Sequence, residues 1–315
     1  MVAFRGQDIL STEELSREEI DHILTESRWM LGVVNRRTSI KLLAGKVLAS
    51  LFYQTSTRTR LSFESAMLRL GGGVVGFASA ASSRASGPRA ESLEDTIRTV
   101  EAYCDAIVLR HPEEGAARRA AEMADVPVLN GGDGTNQHPS QGLLDAFTIW
   151  HEKGTIDGLT IGMVGDLGAT RGMHSLVYCL SNYRVRLLFV APEELRFGEA
   201  VKSRLSANHV EYEEGNSLKE AVPEMDVMYV TRLNKEGAGS RYKDLLPRCP
   251  RVDPAVLKQA KPELIIMHDL PRSDELGLQI DAAVDDMPYA KYFDEVRYGV
   301  AVRMALLALT SGGIT

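Results

Sequence analysis

The chain has 315 residues, 44% of them hydrophobic and 25% charged, the composition of a globular protein of about two domains. A net charge of −7, from 36 basic and 43 acidic side chains, lacks the basic surplus of a nucleic-acid binder, so any anion site must be a local gathering of positive charge. Cys104, Cys179 and Cys249 fit no disulfide framework or zinc spacing and predict a cytoplasmic protein, while a polar opening and the lack of a long apolar run predict neither a signal peptide nor a membrane span.

In chain order, residues 12–31 predict an amphipathic helix capped by Ser11 or Thr12, with Leu15, Ile20, Ile23 and Leu24 on its apolar face. Strand-like runs follow at 46–53, 73–77, 106–110, 126–130, 160–165, 185–191, 227–232 and 263–268. Helical patterns fill 60–70, 92–103, 114–124, 141–152, 172–181, 195–207, 216–223 and 253–259. Continuous apolar strands alternating with helices indicate parallel sheets covered on both faces. The predicted fold class is therefore α/β, with two domains, each a parallel β-sheet flanked by helices. The expected division is 1–145 and 146–289. The last helix, about 297–311, is apolar at Val300, Val302, Met304, Leu306, Leu307 and Leu309. It is expected to return to the first domain, adding residues 290–315 to it. Ala78 to Ala90 is small, polar and basic without periodicity, and reads as a loop.

Four constellations carry chemistry. Phe52-Tyr-Gln-Thr-Ser-Thr-Arg-Thr-Arg60 opens a helix directly after a strand. Ser56, Thr57, Arg58 and Thr59 thus sit where free N–H groups, hydroxyls and the positive helix end meet a guanidinium, an anion cradle suited to phosphate. Hydroxyl caps alone are common, but four donor residues in a row after a buried strand favour the cradle. The second cluster runs from Gly131 to Gln141 beyond a strand's carboxyl end, where ligands of open α/β sheets bind. His138 and Gln141 can point to one spot there, and a neutral imidazole could donate to a developing oxyanion; a capped turn is the plainer alternative. The third is Arg110 and Arg232 at strand ends and Arg171 after the turn Gly165 to Thr170, each able to grip a phosphate or carboxylate or to serve in a structural ion pair. The glycines of that turn lack the full dinucleotide fingerprint. The fourth is Met267-His-Asp-Leu-Pro-Arg272, whose Leu270-Pro271 bond suits a cis peptide turning backbone carbonyls toward a ligand.

Together these residues resemble the aspartate/ornithine carbamoyltransferase family over nearly the whole chain. Ser-Thr-Arg-Thr-Arg followed by Phe-Glu-Ser is similar to its carbamoyl-phosphate signature, and His-Pro-x-Gln to its second signature. The stretches Arg110 to Arg118, Asn130 to Pro139 and Val230 to Glu236 resemble the aspartate branch, and Leu270-Pro271-Arg272 lacks the cysteine loop of the ornithine branch. The resemblance implies transfer of a carbamoyl group from carbamoyl phosphate to the amine of L-aspartate in pyrimidine biosynthesis, with no metal or cofactor. It implies that Ser56, Thr57, Arg58, Thr59 and Arg110 hold the phosphate. Thr59, Arg110 and His138 would contact the carbamoyl oxygen and Gln141 the carbamoyl amide. Arg171, Arg232 and Leu270 would hold aspartate. It further implies a homotrimer whose 78–90 loop, through Ser86, Arg89 or Arg84, reaches a neighbouring subunit's site. Regulatory or dihydroorotase chains partner some members; nucleic acid and membrane are not expected partners.

Three departures stand out. Where the family loop reads Lys-Gly-Glu-Ser/Thr-Leu, this chain has Arg89-Ala90-Glu91-Ser92-Leu93, and arginine is planar and far harder to deprotonate than lysine. His268-Asp269-Leu270-Pro271 replaces His-Pro-Leu-Pro, placing a carboxylate near two anions. Asn234 stands where a glutamine is usual. Two alternatives therefore accompany the main reading: a transcarbamylase for another amine, and a catalytically impaired paralogue acting as a structural or regulatory trimer partner.

Overall fold

A capping box starts the first long helix, α1 (Arg17–Asn35). Ser16 Oγ accepts from the Glu19 N–H, and Glu19 Oε2 accepts from the Ser16 N–H at 2.7 Å. The helix predicted at 12–31 is thus two pieces. Thr12–Glu14 form a 3₁₀ turn capped by Ser11, and Leu15 is extended. The Ser16–Glu19 pair sets the start because it satisfies two free N–H groups reciprocally. The computed structural model describes residues 4–84, 90–274 and 277–314.

The chain divides into two compact units, Met1–Phe147 with Val296–Thr315, and Thr148–Glu295. In the first, β1 (Val47–Phe52), α2 (Arg58–Arg69), β2 (Gly73–Phe77), α3 (Leu93–Glu101), β3 (Ala106–His111), α4 (Ala116–Met123) and β4 (Val128–Asp133) lead into α5 (Pro139–Lys153). Its strands lie parallel in the order β2-β1-β3-β4, with Phe52 opposite Arg110. Ala49, Leu51, Ile97, Ile107, Leu109, Ala120 and Val128 form an apolar core on this sheet.

The second unit contains β5 (Thr160–Val164), α6 (Arg171–Leu180), β6 (Arg186–Val190), α7 (Glu199–Ala207), β7 (Glu211–Gly215), α8 (Leu218–Ala221), β8 (Val227–Val230), α9 (Lys235–Ala238), α10 (Tyr242–Leu245) and β9 (Ile265–His268). The parallel order is β7-β6-β5-β8-β9. Val164, Val190, Met228, Val230, Ile266 and Val284 fill one of its cores. The last helix, α11 (Tyr292–Thr310), passes into the first unit, where Tyr298 meets Phe147 edge-on at 5.8 Å and the Thr310 carbonyl accepts from Gly6 N–H. Two helix-flanked parallel sheets and a returning C-terminal helix are the predicted fold class.

Several boundaries differ from expectation. β4 runs on past Asn130 through Gly131, Gly132 and Asp133, which the sequence assigned to a turn. Gly131 suits the close approach there, since a Cβ would stand 3.2 Å from the Leu109 carbonyl oxygen and 3.3 Å from Val108, tighter than ordinary contact. The edge strand β7, Glu-Tyr-Glu-Glu-Gly, escaped notice because its exposed alternate positions are charged. The helix predicted at 253–259 is only a 3₁₀ turn at Val256–Gln259. Ala80–Ser82, within the predicted loop, form a 3₁₀ turn capped by Ser79. Among the described residues no helix is long and apolar enough to cross a membrane.

Candidate active site

The first unit gathers its candidate residues at the carboxyl ends of neighbouring strands. β1 ends at Phe52, and α2 begins six residues later, with Thr57 at its N-cap. Thr57 is itself in helical geometry and makes no side-chain cap, so the first turn of α2 keeps donors that its own N-cap side chain does not consume. Thr59 is buried, and its Oγ1 lies 3.1 Å from His138 Nε2. His138 directly precedes α5, and its carbonyl accepts from the Gln141 N–H at 2.8 Å. Arg110 is the fifth residue of β3 and donates through Nη1 to the Gly131 carbonyl at 3.3 Å. The segments that follow β1 and β4 are thus tied by Thr59 and His138, and the carboxyl ends of β3 and β4 are tied beside them by Arg110 and Gly131.

The two arginines of the Ser-Thr-Arg-Thr-Arg run have different surroundings. Arg60 Nη1 pairs with Glu64 Oε1 at 3.0 Å, one helical turn on, and Ser50 Oγ donates to the same oxygen at 3.0 Å. Arg60 therefore braces α2 against β1, which leaves Arg58 as the anion-binding candidate of the pair.

Asp133 was missed as a site-building residue. Its Oδ1 accepts from Asn130 Nδ2 at 2.8 Å and from the Gln137 N–H at 3.2 Å. Its Oδ2 accepts from the Gly115 N–H at 2.8 Å and from Asn136 Nδ2 at 3.1 Å. One buried carboxylate thus knots the loop that delivers His138. The signal was an Asp in a Gly-Gly-Asp-Gly run, where its short side chain can bond nearby backbone. Asp145 was missed as well. It is fully buried one turn after Gln141 and accepts from Gln141 Nε2 at 2.8 Å, which fixes the amide's rotamer. Beside them, the buried His111 ring lies 4.6 Å from Tyr53 and accepts through Nδ1 from the Glu113 N–H; burial holds its pKa below the usual imidazole value, against the pull of the Glu113 carboxylate.

The second unit shows the same construction. Arg171 is the first residue of α6, Arg232 follows β8 by two positions, and Leu270 follows β9 by two. β5, β8 and β9 are neighbours, so the three loops open at one end of this sheet. Gly165 lets β5 end against β8: its φ is +116°, and a Cβ would stand 2.1 Å from the Thr231 carbonyl oxygen. Thr170 Oγ1 lies 3.3 Å from Thr231 Oγ1, which donates to Asp269 Oδ1 at 3.5 Å, so a polar chain links the three loops. Arg232 Nη1 donates to the Pro271 carbonyl at 3.2 Å, after a cis Leu270–Pro271 peptide. Leu270 has a φ of +49°, which few side chains adopt, and its N–H donates to His268 Nδ1 at 2.7 Å.

Two of the departures, Asp269 and Asn234, lie inside this unit. Asp269 Oδ1 takes the Thr231 hydrogen bond at 3.5 Å, so its carboxylate is engaged by the unit's own loops. The Asn234 N–H donates to Asp166 Oδ2 at 2.9 Å, and its side-chain oxygen accepts from the Gly237 N–H at the start of α9. Asp166, absent from the sequence reading, also accepts from the Ala169 N–H and is buried enough for its pKa to be raised. Arg84 is exposed, with its carbonyl accepting from the Glu91 N–H. Ser86 and Arg89 lie outside the described residues.

Comparison with known proteins covers both units. Residues 7–151 match the family described as aspartate/ornithine carbamoyltransferase, carbamoyl-P binding domain, and residues 157–310 match its Asp/Orn binding domain. The aspartate carbamoyltransferase catalytic subunit of Thermococcus onnurineus is 49% identical over 310 residues, covering 98% of each chain. A solved catalytic subunit of M. jannaschii aspartate transcarbamoylase superposes with a TM-score of 0.86 at 45% identity, over 96% of this chain and 97% of the other. A Trypanosoma cruzi aspartate transcarbamoylase in complex with carbamoyl phosphate and aspartate gives a TM-score of 0.87 at 35% identity, over 98% of this chain and 96% of that one.

Proposed function

This chain belongs to the aspartate/ornithine carbamoyltransferase family, and we propose that its two strand-end clusters handle one substrate each. The protein is an enzyme that transfers the carbamoyl group of carbamoyl phosphate to the amine of L-aspartate, giving N-carbamoyl-L-aspartate and phosphate. The observation that carries the assignment of the first cluster is the buried contact between Thr59 and His138, which joins the two signature segments at one sheet end.

In this reading Ser56, Thr57, Arg58, Thr59 and Arg110 hold carbamoyl phosphate by its phosphate. Hydroxyl and backbone donors at a helix N-terminus suit that group, and a guanidinium can grip two of its oxygens. Thr59, Arg110 and His138 donate to the carbamoyl oxygen, and Gln141, held by Asp145, contacts the carbamoyl amide. Arg171 and Arg232 take the two aspartate carboxylates, with backbone from Leu270. The neutral amine of aspartate attacks the carbamoyl carbon. Charge grows on the carbamoyl oxygen and is met by donors already in place, and phosphate departs with the C–O bonding pair. The amine's proton passes to the departing phosphate as the new C–N bond forms, so the products are N-carbamoyl-L-aspartate and hydrogen phosphate.

The assembly in this reading is a homotrimer in the cytoplasm, with the 78–90 loop reaching the next subunit's site through Arg84, Ser86 or Arg89. Leu61, Leu68 and Val75 support an interface, since these apolar side chains of α2 and β2 are 48%, 58% and 44% exposed. The wide spacing of Cys104, Cys179 and Cys249, which suits no disulfide framework, supports the location. Sedimentation of the purified chain tests the trimer. Steady-state formation of carbamoyl aspartate tests the function: turnover requiring both substrates is expected, and no product at saturating concentrations of both would refute it.

A further inference from the structure

Helix α11 is apolar from Ala301 to Leu309 except at Arg303, which is only 3% exposed. Burying a guanidinium is costly, so its surroundings should be specific. Arg303 Nη2 donates to Ser140 Oγ at 3.5 Å, and the guanidinium carbon stands 5.2 Å from the Phe63 ring centre. Burial pulls its pKa down to about 10, with the Asp145 carboxylate acting the other way, so it remains a cation at neutral pH. The helix also makes room for it. A Cβ at Gly299 would stand 2.6 Å from Arg303 Nη1 and 3.1 Å from Leu144, so glycine's loss of helix propensity is accepted at this turn.

Ser140 links this cation to the candidate catalytic histidine. Its Oγ lies 3.4 Å from His138 Nδ1, and His138 Nε2 lies 3.1 Å from Thr59 Oγ1. A guanidinium has donors only, so Ser140 Oγ accepts from Arg303 and its single proton remains to be given away. Nδ1 of His138 is within reach to take it. An imidazole that accepts at Nδ1 carries its own proton on Nε2, which faces Thr59.

We infer that Arg303, acting through Ser140, fixes the His138 tautomer with its proton on Nε2, the nitrogen that must donate to the carbamoyl oxygen. Arg303 and Ser140 are then positioning residues, and the C-terminal helix is wired to the reacting end of the first unit. The link to catalysis rests on the function proposed above; the tautomer itself does not.

The test is long-range proton–nitrogen NMR of the full chain labelled at its histidine rings. His138 is identified by its loss in His138→Gln, at a pH where the ring is neutral. The wild type is expected to show a pyridine-type Nδ1 and a pyrrole-type Nε2. Ser140→Ala and Arg303→Met should each move the ring toward a tautomer mixture and lower kcat by about 10- to 100-fold, with a smaller change in KM for carbamoyl phosphate. Arg303→Lys, also a pure donor, should recover part of the loss. Should Arg303→Met fail to fold, Ser140→Ala decides. A wild-type ring protonated on Nδ1, or a tautomer unchanged in Ser140→Ala, overturns the inference. The expected tautomer in a chain that forms no carbamoyl aspartate would uphold it while refuting the functional reading.

Discussion

Thr59 Oγ1 and His138 Nε2 meet at 3.1 Å across 79 positions of sequence, one from the first turn of α2 and the other from the residue before α5. Both side chains are buried, so the contact is made out of bulk water, where donors aimed at a developing charge act most strongly. Thr59→Val keeps the shape and removes the hydroxyl. It is expected to lower kcat about a hundredfold, with little change in the thermal midpoint, as checked by steady-state assay and calorimetry.

Arg58 and Arg60 should separate sharply. Arg60 is held by Glu64, so Arg60→Gln should cost at most about 1 kcal/mol of stability and leave carbamoyl-phosphate binding close to wild type. Arg58→Gln should weaken that binding by about 10- to 100-fold. Titration calorimetry of both variants with carbamoyl phosphate provides the comparison.

Asp133→Ala removes an acceptor shared by four donors around the His138 loop. Leaving buried N–H groups unpaired should cost about 3 kcal/mol, seen as a lower urea midpoint with the slope unchanged. Turnover should fall as well, because the loop that delivers His138 loses its knot.

Much of the fold was legible because its strands are continuous apolar runs and its helices carry apolar faces. What stayed hidden was hidden for physical reasons. β7 is a charged edge strand, Gly131 sits where a neighbouring strand would crowd a Cβ and Gly132 has a φ of +113°, and two competing serine caps divided the first helix differently. For the site, the donor-rich Ser56 to Thr59 turn and His138 stood out as patterns. Asp133, Asp145, Asp166 and Ser140 did not, since an ordinary polar residue becomes a brace only through partners brought by the fold. Arg303 did leave a trace, as a lone charge in the apolar stretch from Ala301 to Leu309.

His111 gives a pH dependence of stability. Burial holds its folded pKa below the ordinary 6.5. As pH falls below that value the unfolded chain takes up the proton first, so stability is fully present above it and declines as pH drops toward the folded pKa. Urea unfolding between about pH 7 and about pH 5 should show this decline. His111→Gln, which retains an acceptor for the Glu113 N–H, should flatten it.

The central claim is that the donors of the first unit hold carbamoyl phosphate and the arginines of the second hold L-aspartate during one transfer. Titration calorimetry with a phosphonate joined covalently to aspartate tests it most directly. Micromolar or tighter binding is expected, lost in Arg58→Gln and equally in Arg232→Gln. Binding no tighter than that of inorganic phosphate, or indifferent to Arg232→Gln, would contradict it.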